Sequence, residues 1–180
     1  MKNLAHHFLE DALLQFQKIK ALGDKTFVQL DDEDFLKPLD AESNSIAIII
    51  KHLHGNMVSR WTDFLTSDGE KPNRNRDSEF ETDEDFSKEN LLKLWENGWD
   101  VVLKSVAELN EGDVLKTITI RGEKFTVVQA INRQISHYSY HVGQIVFLGK
   151  HLKNENWKTL SIARGKSEEF NRLPQIYKKV

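Results

Sequence analysis

The sequence predicts an all-α protein, a four-helix bundle with a small β-hairpin inserted before the last long helix. Two observations lead to this prediction. Apolar residues recur every three or four positions over four long segments, and one short segment carries β-branched residues on both sides of a glycine turn. The chain has 180 residues, which suits one domain that buries its core without a disulfide or a structural metal. We therefore expect a single domain over residues 1–180.

Each of the four helical segments is bounded by residues that start or stop helices. The segments cover about residues 4–22, about 46–65, 86 to a break at 110–112, and about 128–151. Gly23 and Asp24 are a stop signal after the first helix. Residues 43–45 offer capping side chains to the second helix, and Asp85 is a possible N-cap of the third. The second helix is apolar on nearly all sides in its first half, which predicts that it lies buried between neighbours.

Besides the connector between the first two helices, three segments lie outside the predicted helices. The hairpin is expected over about residues 115–128. Residues 66–85 are rich in glycine, proline, asparagine and charged residues without any periodicity, so we expect a long loop, either functional or a disordered excursion. Its acidic run, residues 79–85, is expected to face solvent. The tail, residues 152–180, contains a short candidate helix after Ser167.

Composition and motifs exclude several classes of protein. The formal charge of −3 argues against the basic field that nucleic-acid binding usually requires. The longest aliphatic run, residues 46–50, is far shorter than the roughly 20 residues that cross a bilayer. The amino terminus lacks the apolar stretch of a signal peptide, and the absence of cysteine fits a reducing compartment, so we expect a cytoplasmic protein. The nucleotide-binding, hydrolase, metalloprotease and EF-hand motifs are absent.

Four of the seven histidines are concentrated in two short segments, 52–54 and 137–141, within the second and fourth predicted helices. His137 and His141 stand four residues apart, so their side chains share one helix face and can hold one ion between them. His52 lies in an apolar stretch, where an ionisable side chain needs a partner. The three histidines would form a metal site inside the bundle with coordination positions left for water or substrate. His54 is the rival of His52, because two residues turn a helical side chain by about 200° and both cannot face one ion.

An HxxxH pair is also compatible with ordinary hydrogen-bonded histidines. If the three histidines bind a metal, neighbouring polar side chains are candidates to orient their rings. Metal-bound imidazoles usually donate their second N–H to a carboxylate, carbonyl or amide. The candidates near the three histidines are Asn56, Gln134 and Gln144, which equally suit solvated helix positions. Gly55, one turn after His52, leaves room for a neighbouring helix or a ligand. Arg74 and Arg76 of the long loop are suited to contact an anionic thiol or carboxylate substrate, or else lie in solvent.

Two segments around these residues carry a family resemblance; they read HLHGNMVSRWTDFLTSDGEKPNRNRD and HYSYHVGQIVFLGK. They resemble the DinB/YfiT-like superfamily of metal-binding four-helix bundles, in a branch known only as a domain of unknown function. The resemblance covers nearly the whole chain, and the second segment is its most specific part. In that superfamily one histidine of the second helix and the two of a later HxxxH bind a divalent metal, often nickel or zinc. The resemblance therefore implies His52, His137 and His141 as ligands, with His54 in a packing or supporting role; iron and manganese also accept such ligands.

The same resemblance implies a range of functions. The superfamily includes transferases that use low-molecular-weight thiols, such as bacillithiol or mycothiol, and many members without an assigned reaction. A bound divalent metal lowers the pKa of a thiol or water and so creates a nucleophile at neutral pH. We expect a metal-dependent thiol transferase, or a related hydrolase, that acts on a small molecule and forms a homodimer. The alternatives are a non-catalytic metal-binding or stress-related protein and a metal-free dimeric interaction domain.

Overall fold

The structure, a computed structural model, describes residues 3–81 and 86–173. The helices and strands of these residues are, in chain order, α1 (Leu4–Phe27), α2 (Ile46–Trp61), α3 (Lys88–Ala107), β1 (Thr117–Ile120), β2 (Glu123–Thr126), α4 (Val127–Lys153) and α5 (Ser167–Arg172). Helices α1 and α2 each pack against both α3 and α4, so the four long helices enclose one core. The predicted helical bundle with a hairpin before its last long helix is confirmed.

The bundle core is built from large aromatic and aliphatic side chains. Phe16, Trp95, Trp99 and Tyr138 are completely buried or nearly so, and their rings meet edge to face or tilted. Helix α2 is the most deeply buried of the long helices, with 12 of its 16 residues buried. This burial confirms that α2 lies between neighbours, and it places any polar side chain of α2 where a partner is needed.

Helix α1 continues through Gly23 and Asp24, so the predicted stop after residue 22 is wrong. Gly23 is required by packing, because a Cβ atom there would overlap the ring of Trp95. Asp24 is held in the helix by side-chain contacts, since its carboxylate accepts hydrogen bonds from Trp95 Nε1 at 2.7 Å and Lys20 Nζ at 3.0 Å. The contacts with α3 therefore override a local stop signal.

The ends of the other long helices lie within four residues of their predicted positions. Helix α2 has Ser45 as its N-cap, as predicted, but ends at Trp61 rather than near residue 65, because the chain turns through Asp63 at a φ of 49°. Helix α3 begins two residues later than predicted and is capped by Ser87. The proposed cap Asp85 lies outside the described residues. The tail contains the expected short helix, α5.

The hairpin anchors the long loop. Strands β1 and β2 are antiparallel, and their two-residue turn, Arg121 and Gly122, has φ values of 55° and 77°, as two-residue hairpin turns require. The carboxylate of Asp68 accepts hydrogen bonds from both turn N–H groups at 2.8 and 2.9 Å, and Gly69 N–H donates to the Thr119 carbonyl. Residues 66–81 are therefore a packed loop with a 3-10 turn at Asp77–Phe80, not a disordered excursion.

Candidate metal centre

Helices α2 and α4 bring three histidines together at their interface. His52, His137 and His141 each offer one ring nitrogen, and these nitrogens all lie within 4.8 Å of one another. The Nε2 atoms of His52 and His137 are 3.4 Å apart, and the ring centroids of His52 and His141 are 4.9 Å apart. The three histidines that the sequence predicts as one group therefore form a cluster that could hold a metal ion.

Hydrogen bonds orient two of these imidazoles. His52 Nδ1 lies 2.9 Å from Glu79 Oε2, and His141 Nδ1 lies 2.8 Å from Gln144 Oε1. Each oxygen can only accept, so it selects the tautomer with a hydrogen on Nδ1 and a lone pair on Nε2. Imidazoles that bind metals usually have such a hydrogen-bonded second nitrogen. The donor set therefore fits a divalent ion.

Burial and neighbouring groups keep the imidazoles of His137 and His141 neutral, so that their ring nitrogens can donate a lone pair to a metal. Burial, followed by the neighbouring His141 and His52, lowers the pKa of His137 to about 3. Burial also lowers the pKa of His141 to about 4, although its hydrogen bond with Gln144 opposes the shift. Both imidazoles are therefore neutral at pH 7, which is the protonation state that a metal ligand needs.

Glu79 is a functional candidate that sequence reasoning missed. It lies in the acidic run predicted to face solvent, yet it is 5% exposed and holds His52. Arg74 binds both of its oxygens, with Nε at 2.7 Å from Oε1 and Nη2 at 2.9 Å from Oε2. Burial would raise the pKa of Glu79, but the bonds to His52 and Arg74 hold it below its usual value, so the group is a carboxylate. The prediction that this run faces solvent is therefore wrong for Glu79. Residues 82–85 of the run lie outside the described residues.

The signal for Glu79 in the sequence was Gly55. The space that this glycine leaves beside α2 is filled by the Glu79 carboxylate, since a Cβ atom on Gly55 would overlap it. The glycine thus makes room for a loop side chain rather than for a neighbouring helix. That Glu79 fills this space could not be predicted from the sequence, because Gly55 and Glu79 are 24 positions apart and no local pattern connects them.

The other candidate residues lie in three kinds of surroundings. Gln144 hydrogen-bonds His141, whereas Asn56 Oδ1 accepts from the Tyr138 hydroxyl at 3.2 Å. Gln134 is buried, and its Oε1 has no hydrogen-bond partner among the described residues. His54 points away from the cluster, and its Nε2 lies 2.9 Å from Asn97 Oδ1. This orientation is expected, because side chains two residues apart on a helix differ in direction by about 200°.

The histidine cluster opens onto a cavity of about 470 Å³. Its wall includes the three histidines, Asn56, Gln134 and Tyr140, together with five arginines. Arg74 and Arg76 are among these arginines; Arg74 is tied to Glu79, and the Arg76 guanidinium lies 5.1 Å from the centre of the Phe80 ring. A cavity of this size can accept a small organic molecule.

The fold and the cluster define a helical-bundle protein whose three grouped histidines could hold a metal. The chain matches the family model described as "Protein of unknown function (DUF1572)" over residues 3–166. The chain therefore belongs to this family, which agrees with the predicted branch of unknown function. No curated protein and no solved structure matches the chain. Membership of the DinB-like superfamily stays a prediction.

Proposed function

We propose that the chain is a divalent-metal-dependent enzyme whose metal is bound by His52, His137 and His141. The observation that supports this is the convergence of three imidazole nitrogens within 4.8 Å at the wall of a cavity. Such an ion, when bound, lowers the pKa of a thiol or a water molecule at an open coordination position. We favour nickel or zinc, the ions that the resemblance implies, and iron and manganese also accept such ligands.

The residues around the cluster hold its geometry. Glu79 fixes the tautomer of His52, and Arg74 in turn fixes both oxygens of Glu79. Gln144 orients His141 from one turn further along α4. The orientations of His52 and His141 thus depend on hydrogen bonds from neighbouring side chains, and such support typically changes metal affinity 10- to 100-fold.

The resemblance to the DinB/YfiT-like superfamily supports a reaction class. Its three-histidine pattern coincides with the cluster, and its characterised transferases use low-molecular-weight thiols. A thiol-dependent S-transferase is therefore the reaction we favour, with hydrolysis by an activated water as the related alternative. The absence of cysteine from the chain fits a thiol supplied by a separate molecule. The resemblance also supports a homodimer.

The second candidate function is a non-catalytic one, in which the metal stabilises the fold. The position of the cluster between two helices supports this candidate. An ion shared by His52 of α2 and the two histidines of α4 would cross-link two helices of the bundle. Such an ion stabilises the folded state by mass action without any turnover. The two functions differ in whether removing a ligand abolishes a reaction or only lowers stability.

Metal content tests the site directly. Untagged protein, purified without a nickel column, is measured by mass spectrometry for the wild type and for His52→Ala, His137→Ala and His54→Ala. We expect near-stoichiometric metal in the wild type and in His54→Ala, and loss of metal in the other two variants. Substoichiometric metal that none of these substitutions changes would contradict the site.

Turnover distinguishes the two functions. The metal-loaded protein is incubated with a thiol and an electrophilic acceptor, and product formation is compared with that of metal-free protein and of His137→Ala. A metal-dependent rate that His137→Ala removes while far-ultraviolet circular dichroism stays unchanged supports the enzyme. Bound metal without turnover over a broad panel of thiols and esters supports the structural role.

A further inference from the structure

The cavity beside the histidine cluster concentrates the arginines of the chain. Five of the seven arginines in the sequence line it, Arg60, Arg74, Arg76, Arg121 and Arg133, whereas none of the lysines in the described residues does. The described residues also contribute no aspartate or glutamate to its wall. This wall contrasts with the whole chain, whose formal charge is −3. Arginine differs from lysine in its planar fork of donors, which matches carboxylate and phosphate groups.

Three of these arginines are already engaged by carboxylates. Glu70 Oε2 lies 2.7 Å from Arg60 Nη1 and 3.0 Å from Arg121 Nε. Arg74 contacts Glu70 at 3.4 Å and is bound closely by Glu79. Among the described residues, only these two carboxylates pair with the five guanidinium groups of the cavity, so its wall keeps an excess of positive charge.

The remaining two, Arg76 and Arg133, contact rings instead of carboxylates. The Arg76 guanidinium lies 5.1 Å from the centre of the Phe80 ring, and that of Arg133 lies 5.4 Å from the centre of the Phe125 ring. Neither arginine has an ion-pair partner within residues 3–81 and 86–173. A ring contact restrains the guanidinium by its face and leaves the edge N–H groups free to donate.

Both free arginines stand next to the histidine cluster. The Phe80 ring, which contacts the Arg76 guanidinium, also contacts His52, with the two ring centroids 5.1 Å apart. Arg133 precedes His137 by four residues on α4, so the two side chains share one helix face. An anionic group bound between these arginines would place the rest of its molecule beside the histidines.

We infer that the cavity binds a small anionic molecule whose carboxylate or phosphate group is held by Arg76 and Arg133. That this molecule is the substrate rests on the metal-dependent activity proposed above, whereas the binding of the anion depends only on the arginines. The cavity volume of about 470 Å³ fits a small metabolite-sized anion rather than a polymer.

Titration calorimetry on metal-depleted protein tests the inference, with succinate and inorganic phosphate as probes and neutral succinamide as control. We expect one of the two anions to bind, and Arg76→Gln and Arg133→Gln each to weaken binding about tenfold or more, since each removes a charged hydrogen-bond donor. Arg164→Gln is the matched control, because Arg164 is exposed and does not line the cavity. The tighter probe identifies the group as carboxylate or phosphate.

Several results would overturn the inference. Neither anion binding more tightly than succinamide would do so, as would equal binding by the wild type and both cavity variants. Loss of anion binding in metal-free His137→Ala, with retention in Arg76→Gln and Arg133→Gln, would assign the anion to the histidines instead. Metal content is measured on each preparation as purified, before the metal is removed. A preparation that held metal but binds no anion after depletion refutes this inference alone, and a preparation that binds the anion but never held metal refutes only the metal-dependent function.

Discussion

At the residue scale, one carboxylate connects the long loop to the histidine cluster. Glu79 contacts His52 on one side and Arg74 on the other, and it occupies the space beside Gly55. Buried charges of this kind are stable only when each is paired and hydrogen-bonded. The position of His52 therefore depends on a residue 27 positions away in the sequence.

Replacing Glu79 by glutamine tests this dependence. The amide keeps the shape of the side chain but removes its charge and presents a donor beside Arg74, so we expect metal affinity to fall about 10- to 100-fold. Competition with a chromogenic chelator measures the affinity. Glu81→Gln is the matched control, because Glu81 is exposed, and it should bind metal like the wild type. Equal affinity in both variants would show that Glu79 does not support His52.

Gly55→Ala tests the same contact from the side of α2. Alanine normally stabilises a helix relative to glycine by about 1 kcal/mol, but here its Cβ atom would overlap the Glu79 carboxylate. We expect lower metal affinity and a loss of about 1–3 kcal/mol in the free energy of unfolding. Gly143→Ala on α4, where a Cβ atom meets nothing within 4 Å, should be neutral or stabilising in the same urea titration. A stabilised Gly55→Ala protein with normal metal binding would refute the contact.

At the element scale, charged side chains join the end of α4 to the 3-10 turn at Asp32–Phe35. Lys153 Nζ lies 2.7 Å from Asp31 Oδ2 and 3.4 Å from Asp34 Oδ2. The Asp34 carboxylate also accepts the N–H of Asp31 at 3.0 Å. The turn therefore packs against α4 through one largely buried carboxylate.

The pKa of Asp34 predicts how this connection responds to acid. Burial would raise this pKa, but the Asp31 N–H and Lys153 hold it below its usual value, so the unfolded state binds the proton more tightly. The stabilisation is thus complete above the unfolded pKa and is lost as the pH falls through the folded pKa. In urea titrations from pH 7 to pH 2, we expect Asp34→Asn to lower the free energy of unfolding by about 1 kcal/mol at pH 7. In acid, the difference from the wild type should become smaller.

Asp32→Asn is the matched control for that series. Asp32 is an exposed neighbour whose contact with Lys88 is 3.8 Å long, and such pairs contribute little to stability. Its unfolding free energy should follow the wild-type curve at every pH. If Asp34→Asn follows that curve as well, the buried carboxylate does not stabilise the folded protein.

At the scale of the whole molecule, a metal ion would join two of the four long helices. No helix among the described residues is long and apolar enough to cross a membrane. The single-domain boundary, the homodimer and the cytoplasmic location stay predictions. The family match covers residues 3–166, which includes all four long helices and the histidine cluster.

Thermal unfolding tests the role of the metal in this assembly. An ion that binds only the folded state at about 100 times its dissociation constant adds about 2.7 kcal/mol, which raises Tm by roughly 5–10 °C for a chain of this size. We expect zinc or nickel to produce such a rise in chelator-treated wild type and His54→Ala. His137→Ala should show no rise. A similar rise in all three proteins would indicate binding outside the cluster.

Much of the fold and half of the site could be predicted from local patterns. The apolar periodicity of α1 to α4 and the cap at Ser45 are local properties, and so is the shared face of His137 and His141. The stop at Gly23 was wrong because a distant ring, that of Trp95, decides what fits there. Glu79 was missed because an acidic run of a polar loop has no feature that marks one buried member.

The sequence by itself determined the helical bundle, the hairpin and the spacing of the histidines, since periodicity, turn residues and helix geometry act over a few positions. Only the tertiary structure decided which loop side chain reaches His52, and that the arginines gather at one cavity. These contacts join residues far apart in the chain, and they depend on how α2, α4 and the loop of residues 66–81 pack together. Packing of that kind selects partners by shape and charge, and these cannot be read from the order of residues alone.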